Sequence, residues 1–155
     1  MKNILVAVDT SSRAAVVLDA AVALASATGA KLHLFRSVGL PVELPVTVYF
    51  APMDLMATLL AAADQGLEQM MAQVPEALRG TYSAQVATPW DGICRQSSVL
   101  DVDLIVIGSH GYGGFDFLLG TTAARVVNHC DRSVMVVRSK PVHPAVSKSA
   151  NGNGL

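Results

Sequence analysis

The chain has 155 residues, of which 52% are hydrophobic and 15% are charged, and its formal net charge at neutral pH is −1. This composition predicts one globular domain with a full core, and the lack of a basic stripe argues against nucleic acid as a partner. The longest apolar region, residues 14–27, is interrupted by Asp19 and is too short to span a bilayer. The N-terminal apolar stretch is too short for a signal peptide. We therefore expect a soluble cytoplasmic protein without a membrane partner.

Short apolar runs alternate with helical patterns along the chain. The first helix is expected to be capped by Ser11 or Ser12 and to end before Gly29, and Thr88 is expected to cap the third. The predicted strands are 3–9, 31–38, 81–87, 103–108 and 133–138, and the helices between them are 11–28, 53–74, 88–100 and 121–130. Residues 39–52 contain three prolines and are predicted to form a loop, and the polar tail 140–155 is predicted to be flexible.

This alternation is typical of an α/β fold in which every crossover is right-handed. We predict an open five-stranded parallel sheet of order 3-2-1-4-5, with two helices on each face and strands 3–9 and 103–108 at its centre. Ligands of such sheets bind beyond the carboxyl ends of the strands, where the strand order reverses. Cys94 and Cys130 fall in predicted helices without metal-ligand spacing. They are interpreted as free thiols in a reducing compartment, with no metal site.

Residues 108–122, "GSHGYGGFDFLLGTT", follow the fourth strand and contain five glycines. A Walker A loop would require Gly-Lys-Ser/Thr, which the chain lacks, and a dinucleotide fingerprint would follow the first strand, where "VAVDTSS" has no glycine. A phospho-acceptor receiver would need an acidic pair after the first strand, but Asp9 stands alone there, and the third strand ends in Ala87 and Thr88 instead of an aspartate.

The segments "ILVAVD", "DLIVIGSHG", "LLGTTAARVVNH" and "SVMVVR" together resemble the universal stress protein family over roughly residues 3–138. The resemblance implies a family domain over 1–139 with an adenine-nucleotide alpha-hydrolase-like fold. Nucleotide-binding members of the family carry the pattern G-x2-G-x9-G-(S/T). Gly108, Gly111, Gly120 and Thr121 match its fixed positions, but eight residues instead of nine separate Gly111 from Gly120.

The resemblance implies that the ligand is ATP or another adenine nucleotide, with Mg²⁺ as a companion ion. Glycines at 108 and 111 let backbone N–H groups approach an anion, and Gly120, Thr121 and Thr122 begin a helix whose dipole favours negative charge. The alternative is a glycine-rich turn in which Thr121 is an ordinary N-cap.

Two further positions are carried over from the family. Asp9 would meet the base or ribose, although it could instead cap the first helix. Ser37 and Val38 would offer backbone groups to the adenine edge.

No nucleophile–base pair can be read in the sequence, so we predict a nucleotide-binding module and not a turnover enzyme. The resemblance implies a role in stress-response signalling, with ATP held or hydrolysed slowly at most. The alternatives are a nucleotide-independent interaction module that uses its dimer surface and residues 39–52, or a weak ATPase. The fifth strand, 133–138, would be an apolar sheet edge with no lysine before Lys140. By resemblance, two such strands pair antiparallel in a homodimer, with Val134 and Val136 at the contact.

Overall fold

The computed structural model describes residues 1–39, 52–109 and 119–138 of the chain. The predicted loop 39–52 and the predicted tail 140–155 therefore fall almost entirely outside the described residues. Five strands are present: β1 Asn3–Ala7, β2 Lys31–Val38, β3 Arg79–Val86, β4 Leu104–Gly108 and β5 Ser133–Val137. Four α-helices alternate with them: α1 Ala14–Thr28, α2 Pro52–Gln73, α3 Pro89–Val99 and α4 Thr121–His129. Each predicted strand and helix is present, with bounds that differ by up to three residues.

The strands form one sheet of order β3-β2-β1-β4-β5, and every neighbouring pair is parallel. The predicted order and the central positions of β1 and β4 are confirmed. In β1, Ile4 lies between Leu32 of β2 and Leu104 of β4, which explains why the strand is apolar on both faces. The carboxyl ends of β1 and β4 are adjacent at the point where the chain order reverses.

Successive side chains along each strand point to opposite faces of the sheet, and they build two cores, one on each face. The first core lies under α1 and α2, and the second lies under α3 and α4, so two helices cover each face as predicted. Buried residues of the first core include Ile4, Val6, Val17, Leu18, Ala21, Leu34, Leu67, Met71 and Val106. Those of the second core are Leu5, Ala7, Phe35, Ile93, Val102, Ile105, Ile107, Ala123 and Val126.

The two ends of α1 differ in how well the sequence predicts them. Gly29 adopts the left-handed conformation (φ 72°) and donates its N–H to Ala25, as expected of a C-terminal glycine. The expectation that Ser11 or Ser12 caps the helix is wrong, because the helix begins at Ala14 and its N-cap position is Arg13, which makes no side-chain cap. Ser11 instead accepts the Arg13 N–H in the preceding turn, at 3.3 Å.

Cys94 and Cys130 form a disulfide, so their interpretation as free thiols is wrong. Cys94 lies on α3, and Cys130 is the C-cap residue directly after α4. Because both helices cover the same face of the sheet, the two Cα atoms come within 5.1 Å, inside the usual range of about 4.4–6.8 Å for a disulfide. The inference of a reducing compartment from unpaired thiols loses its basis.

None of the helices in the described ranges is both long and apolar enough to cross a bilayer.

Candidate functional site

A cavity of about 620 Å³ opens at the carboxyl ends of β1 and β4. The turn between β1 and α1 forms one wall, and the start of α4 forms another. Its volume is within the range of about 300–1,000 Å³ that small-molecule sites occupy. The cavity therefore lies where a sheet of this topology is expected to hold its ligand.

The structure brings several of the residues predicted from sequence to this one cavity. Asp9, Gly108, Gly120 and Thr122 all line it. The two other described candidates, Val38 and Thr121, do not line it, although their chain neighbours Ser37 and Thr122 do. Gly111 lies outside the described residues, as does most of the shortened connection between it and Gly120.

The β1–α1 wall is organised by the Asp9 carboxylate. Its Oδ1 accepts hydrogen bonds from the backbone N–H of Ser11, at 2.9 Å, and from the Ser11 hydroxyl, at 2.6 Å. The side chain is exposed and lines the cavity. Asp9 thus shapes the turn before α1 without serving as the N-cap of that helix.

A half-buried guanidinium also holds this turn. Arg36 donates from Nη2 to the backbone carbonyl of Asp9, at 3.0 Å. Burial lowers the pKa of Arg36, and the charge of Asp9 opposes that shift. Asp9 is therefore fixed through both its carbonyl and its carboxylate, so its side chain is presented to the cavity in a defined position.

The α4 wall is fixed to the sheet by backbone hydrogen bonds. The Gly120 N–H donates to the carbonyl of Ser109, at 2.7 Å, and Ser109 donates its own N–H to Val137 of β5, at 2.9 Å. The first hydrogen bond inside the helix runs from Ala124 to Gly120. Helix geometry then leaves the N–H groups of residues 121–123 without an acceptor inside the helix, and such groups favour an anion.

The two threonines that begin α4 are placed differently. Thr122 is half-buried and lines the cavity, whereas the side chain of Thr121 is exposed and lies outside the lining. Gly120, and not Thr121, occupies the N-cap position, and no side-chain cap is formed there. The expectation that Thr121 is the N-cap is therefore wrong.

Gly108 has a structural role that is independent of any ligand. A Cβ atom built at this position would meet Cγ2 of Val17 at 3.3 Å, which is tight for a carbon contact. Because Val17 is a buried residue of α1, the missing side chain lets this helix pack against the end of β4. Gly108 also lines the cavity, so close packing and access of a ligand to the backbone both fit a glycine there.

Sequence reasoning missed the apolar part of the cavity and one charge at its edge. Phe35 and Ile93 line it from β2 and α3, and Ile107 lines it from β4. These side chains are spread over more than seventy residues of sequence, so no local motif could reveal them. Arg13, exposed before α1, is a cation on the same wall as Asp9.

The site therefore has two chemically different parts. One part is a helix start with backbone donors and the Thr122 hydroxyl, which suits an anion. The other combines an apolar surface with the Asp9 carboxylate, which suits a flat ring bearing hydrogen-bond donors. Among the described residues, no three His, Cys, Asp or Glu side chains lie close enough together to hold a metal ion.

Comparison with known proteins agrees with this architecture. The curated universal stress protein A homolog 1 of Coxiella burnetii is 28% identical, in an alignment that covers 90% of this chain and 97% of that protein. The structure of universal stress protein UspA from Lactobacillus plantarum superposes with a TM-score of 0.75 at 26% identity, covering 88% of this chain and 97% of the other. A universal stress protein from Archaeoglobus fulgidus, solved in complex with dAMP, superposes with a TM-score of 0.54 at 19% identity, covering 89% and 98%.

The family match extends over almost all of the described chain. Residues 1–138 match the universal stress protein family, including all five strands, both walls of the cavity and the glycine-rich connection. This chain therefore belongs to the universal stress protein family.

Proposed function

We propose that the protein is an adenine-nucleotide-binding module that acts as a homodimer in stress-response signalling, with ATP as its nucleotide. The observation that carries the proposal is the two-part cavity, in which the start of α4 faces the same space as Asp9 and the apolar surface. A nucleotide has the same division into an anionic phosphate chain and a flat aromatic base. The Archaeoglobus fulgidus protein that shares this fold was solved with an adenine nucleotide, dAMP.

In the proposed orientation the phosphates meet the N-terminus of α4. The N–H groups of residues 121–123 surround this end, and the helix dipole adds to their attraction for an anion. The Thr122 hydroxyl donates a hydrogen bond to a phosphate oxygen, and Arg13 contributes positive charge from the opposite wall. We also propose that the backbone of Gly111 contacts the phosphates closely.

The adenosine part then lies over Phe35, Ile93 and Ile107, and Asp9 accepts hydrogen bonds from the ribose hydroxyls or the base. Backbone groups of Ser37 and Val38 contact the adenine edge. A companion Mg²⁺ would be held mainly by the phosphate oxygens and water, as is usual for this ion.

Binding without rapid turnover is the favoured form of this function, and we propose the cytoplasm as its location. Asp9 has its Oδ1 engaged by Ser11, and the cavity lining contains no histidine or lysine among the described residues. The sequence left two alternatives open, a nucleotide-independent interaction module and a weak ATPase.

Mass spectrometry of small molecules released from purified, heat-denatured protein tests the proposal. We expect an adenine nucleotide in near-stoichiometric amount, or uptake of ATP by protein that has been stripped of ligand. Protein that neither retains nor takes up nucleotide would favour the interaction module. Steady phosphate release that disappears in Thr122→Val would establish the ATPase.

The dimer is proposed to form through β5. This strand pairs with β4 on one side only and is one of the two edges of the sheet. The Val137 carbonyl accepts a hydrogen bond from the N–H of Ser109, which follows β4. In a parallel ladder successive residues direct their N–H and carbonyl groups to opposite sides of the strand, so those of Val136 point to the open edge. Val134 and Val136 are half-buried against the second core, while Met135 is 37% exposed on the other face. The partner's β5 would therefore pair chiefly with the backbone of the strand.

Replacing Val136 with proline removes the outward N–H and should convert the dimer to monomers in light scattering. Val86→Pro is the matched control on the opposite edge. Val86 is 38% exposed on β3, and the Ala84 N–H two residues earlier already points away from the sheet to Asp64, at 3.0 Å. We expect Val86→Pro to remain dimeric. A monomeric wild type, or a dimer that persists in Val136→Pro with native circular dichroism, would rule out this interface.

A further inference from the structure

The disulfide between Cys94 and Cys130 encloses the whole α4 side of the candidate site. The two cysteines are 36 positions apart, so the bond closes a covalent ring from α3 through β4 to the end of α4. Gly108, Gly120 and Thr122 all lie inside this ring. The ring therefore includes the segment that supplies the proposed phosphate contacts.

Apart from this bond, α4 is held by the hydrogen bonds at its start and by a small buried surface. The helix has nine residues, and only Ala123 and Val126 are buried. An isolated helix of this length is unstable in water, so its position depends on tertiary contacts. By comparison, α1 has fifteen residues and buries five of them. The disulfide therefore adds a covalent link at the end of a helix that buries few side chains.

The bond joins the two helices that both reach the cavity. Ile93, the residue before Cys94, lines the cavity from α3, and Thr122 and Ala123 line it from α4. Cys130 itself packs against the second core. A change in how closely α4 docks on α3 would therefore move the α4 wall relative to Ile93.

Neither cysteine of the disulfide is fully buried. Cys94 and Cys130 are both half-buried, whereas cysteines in a closed core would exclude solvent. Thiol–disulfide exchange requires that an attacking thiolate approach one of the two sulfur atoms, and a low-molecular-weight thiol is small enough to do so.

We propose that the Cys94–Cys130 pair is a reversible thiol–disulfide switch that sets the nucleotide affinity of the neighbouring site. In reduction, a low-molecular-weight thiol attacks one sulfur and forms a mixed disulfide, and a second thiol molecule releases the cysteine. The Sγ–Sγ bond breaks, two cysteine thiols and one small-molecule disulfide form, and two electrons pass to the protein. Oxidation by the small-molecule disulfide is the reverse.

The oxidised form binds nucleotide more tightly because α4 is already held in the position that the phosphates require. After reduction, part of the binding energy must order α4, which weakens affinity. Linkage requires the reciprocal effect, so bound nucleotide favours the disulfide over the thiols by the same factor. This coupling rests on the proposed nucleotide function, whereas the redox reaction itself does not.

The experiment uses the full chain equilibrated in glutathione buffers that range from excess glutathione disulfide to excess glutathione. Free thiols are counted after acid quenching, and ATP binding is measured by calorimetry at both extremes. We expect full, reversible conversion between zero and two thiols, and an affinity for ATP about five- to tenfold higher in the oxidised protein. The matched control is Cys94→Ser with Cys130→Ser, which should bind like the reduced protein in both buffers.

A second readout separates failure of the switch from failure of the nucleotide proposal. Hydrogen exchange without nucleotide should show faster exchange in α4 after reduction and unchanged exchange in α1. If no ATP binds in either state, this difference still decides whether the bond controls α4. Three results would each overturn the proposal. They are a disulfide that persists in excess glutathione, equal ATP affinities in the two states, and a hydrogen-exchange rate in α4 that does not change on reduction.

Discussion

The two faces of the sheet are stabilised in different ways. Among the described residues, the first core buries sixteen side chains beneath two long helices, whereas the second buries nine beneath two shorter ones. The second face carries the disulfide, and it also carries the half-buried His33. We infer that the first face serves as the permanent scaffold, while the stability of the second depends on conditions. The candidate site takes its α4 wall from the second face.

The largest effect is expected from damage to the first core. Leu67 of α2 is completely buried, and Leu67→Ala should lower the free energy of unfolding by about 2–5 kcal/mol in urea titrations. Val99→Ala is the control, since Val99 is 77% exposed and its truncation should change stability by less than about 0.5 kcal/mol. Equal effects of the two substitutions would refute the assignment of Leu67 to the core.

Breaking the disulfide should have the next largest effect, and it should act on the second face. Reduction, or the double substitution Cys94→Ser with Cys130→Ser, should lower the free energy of unfolding by about 2–4 kcal/mol. Trp90, the chain's single tryptophan, reports on this region because the centroids of its ring and of the His129 ring on α4 are 5.0 Å apart. Its fluorescence should change on reduction of the wild type and stay constant in the double variant. An unfolding curve that is the same with and without reductant would show that packing alone stabilises the second face.

A smaller effect is expected from acid, again through the second face. Burial lowers the pKa of His33 below its ordinary value near 6.5. The Thr81 N–H donates to Nδ1 of His33, at 3.1 Å, and Nε2 lies 3.3 Å from Oδ1 of Asn3, so the neutral ring carries its proton on Nε2. The unfolded chain binds a second proton on this ring more readily than the folded protein does. The contribution of the neutral His33 to the free energy of unfolding is therefore complete above about pH 6.5 and is lost as the pH falls below that value.

Thermal unfolding between neutral pH and pH 5 measures this loss. His33→Gln should flatten the pH dependence in that window. An unchanged pH dependence in His33→Gln would mean that His33 is not the titrating group.

Most of the fold could be predicted from sequence because its signals are local. The branched apolar runs of β1 and β4 indicated strands buried on both faces, and Gly29 marked the end of α1. The start of α1 was missed because two serines fit a cap equally well, and the chain makes a turn through Asp9 and Ser11 before the helix begins.

The candidate site could be predicted only in part, for a physical reason. Glycines at a strand end and a helix start carry a local signature, so Gly108, Gly120 and Thr122 could be named in advance. Phe35 and Ile93 come together only through the packing of β2 and α3. The disulfide depends on the side-by-side placement of α3 and α4, which two isolated cysteines in a sequence do not reveal.

Calorimetric titration of ATP into ligand-free wild type, Thr122→Val and Thr121→Val tests the central claim most directly. The two substitutions are chemically identical and adjacent, but only Thr122 lines the cavity. Loss of a hydrogen bond to a charged phosphate costs about 1.5–3 kcal/mol, so Thr122→Val should weaken binding about 10- to 100-fold, with Thr121→Val close to wild type. Wild-type protein that does not bind ATP, or equal affinities in all three proteins, would contradict the assignment of this cavity as the nucleotide site.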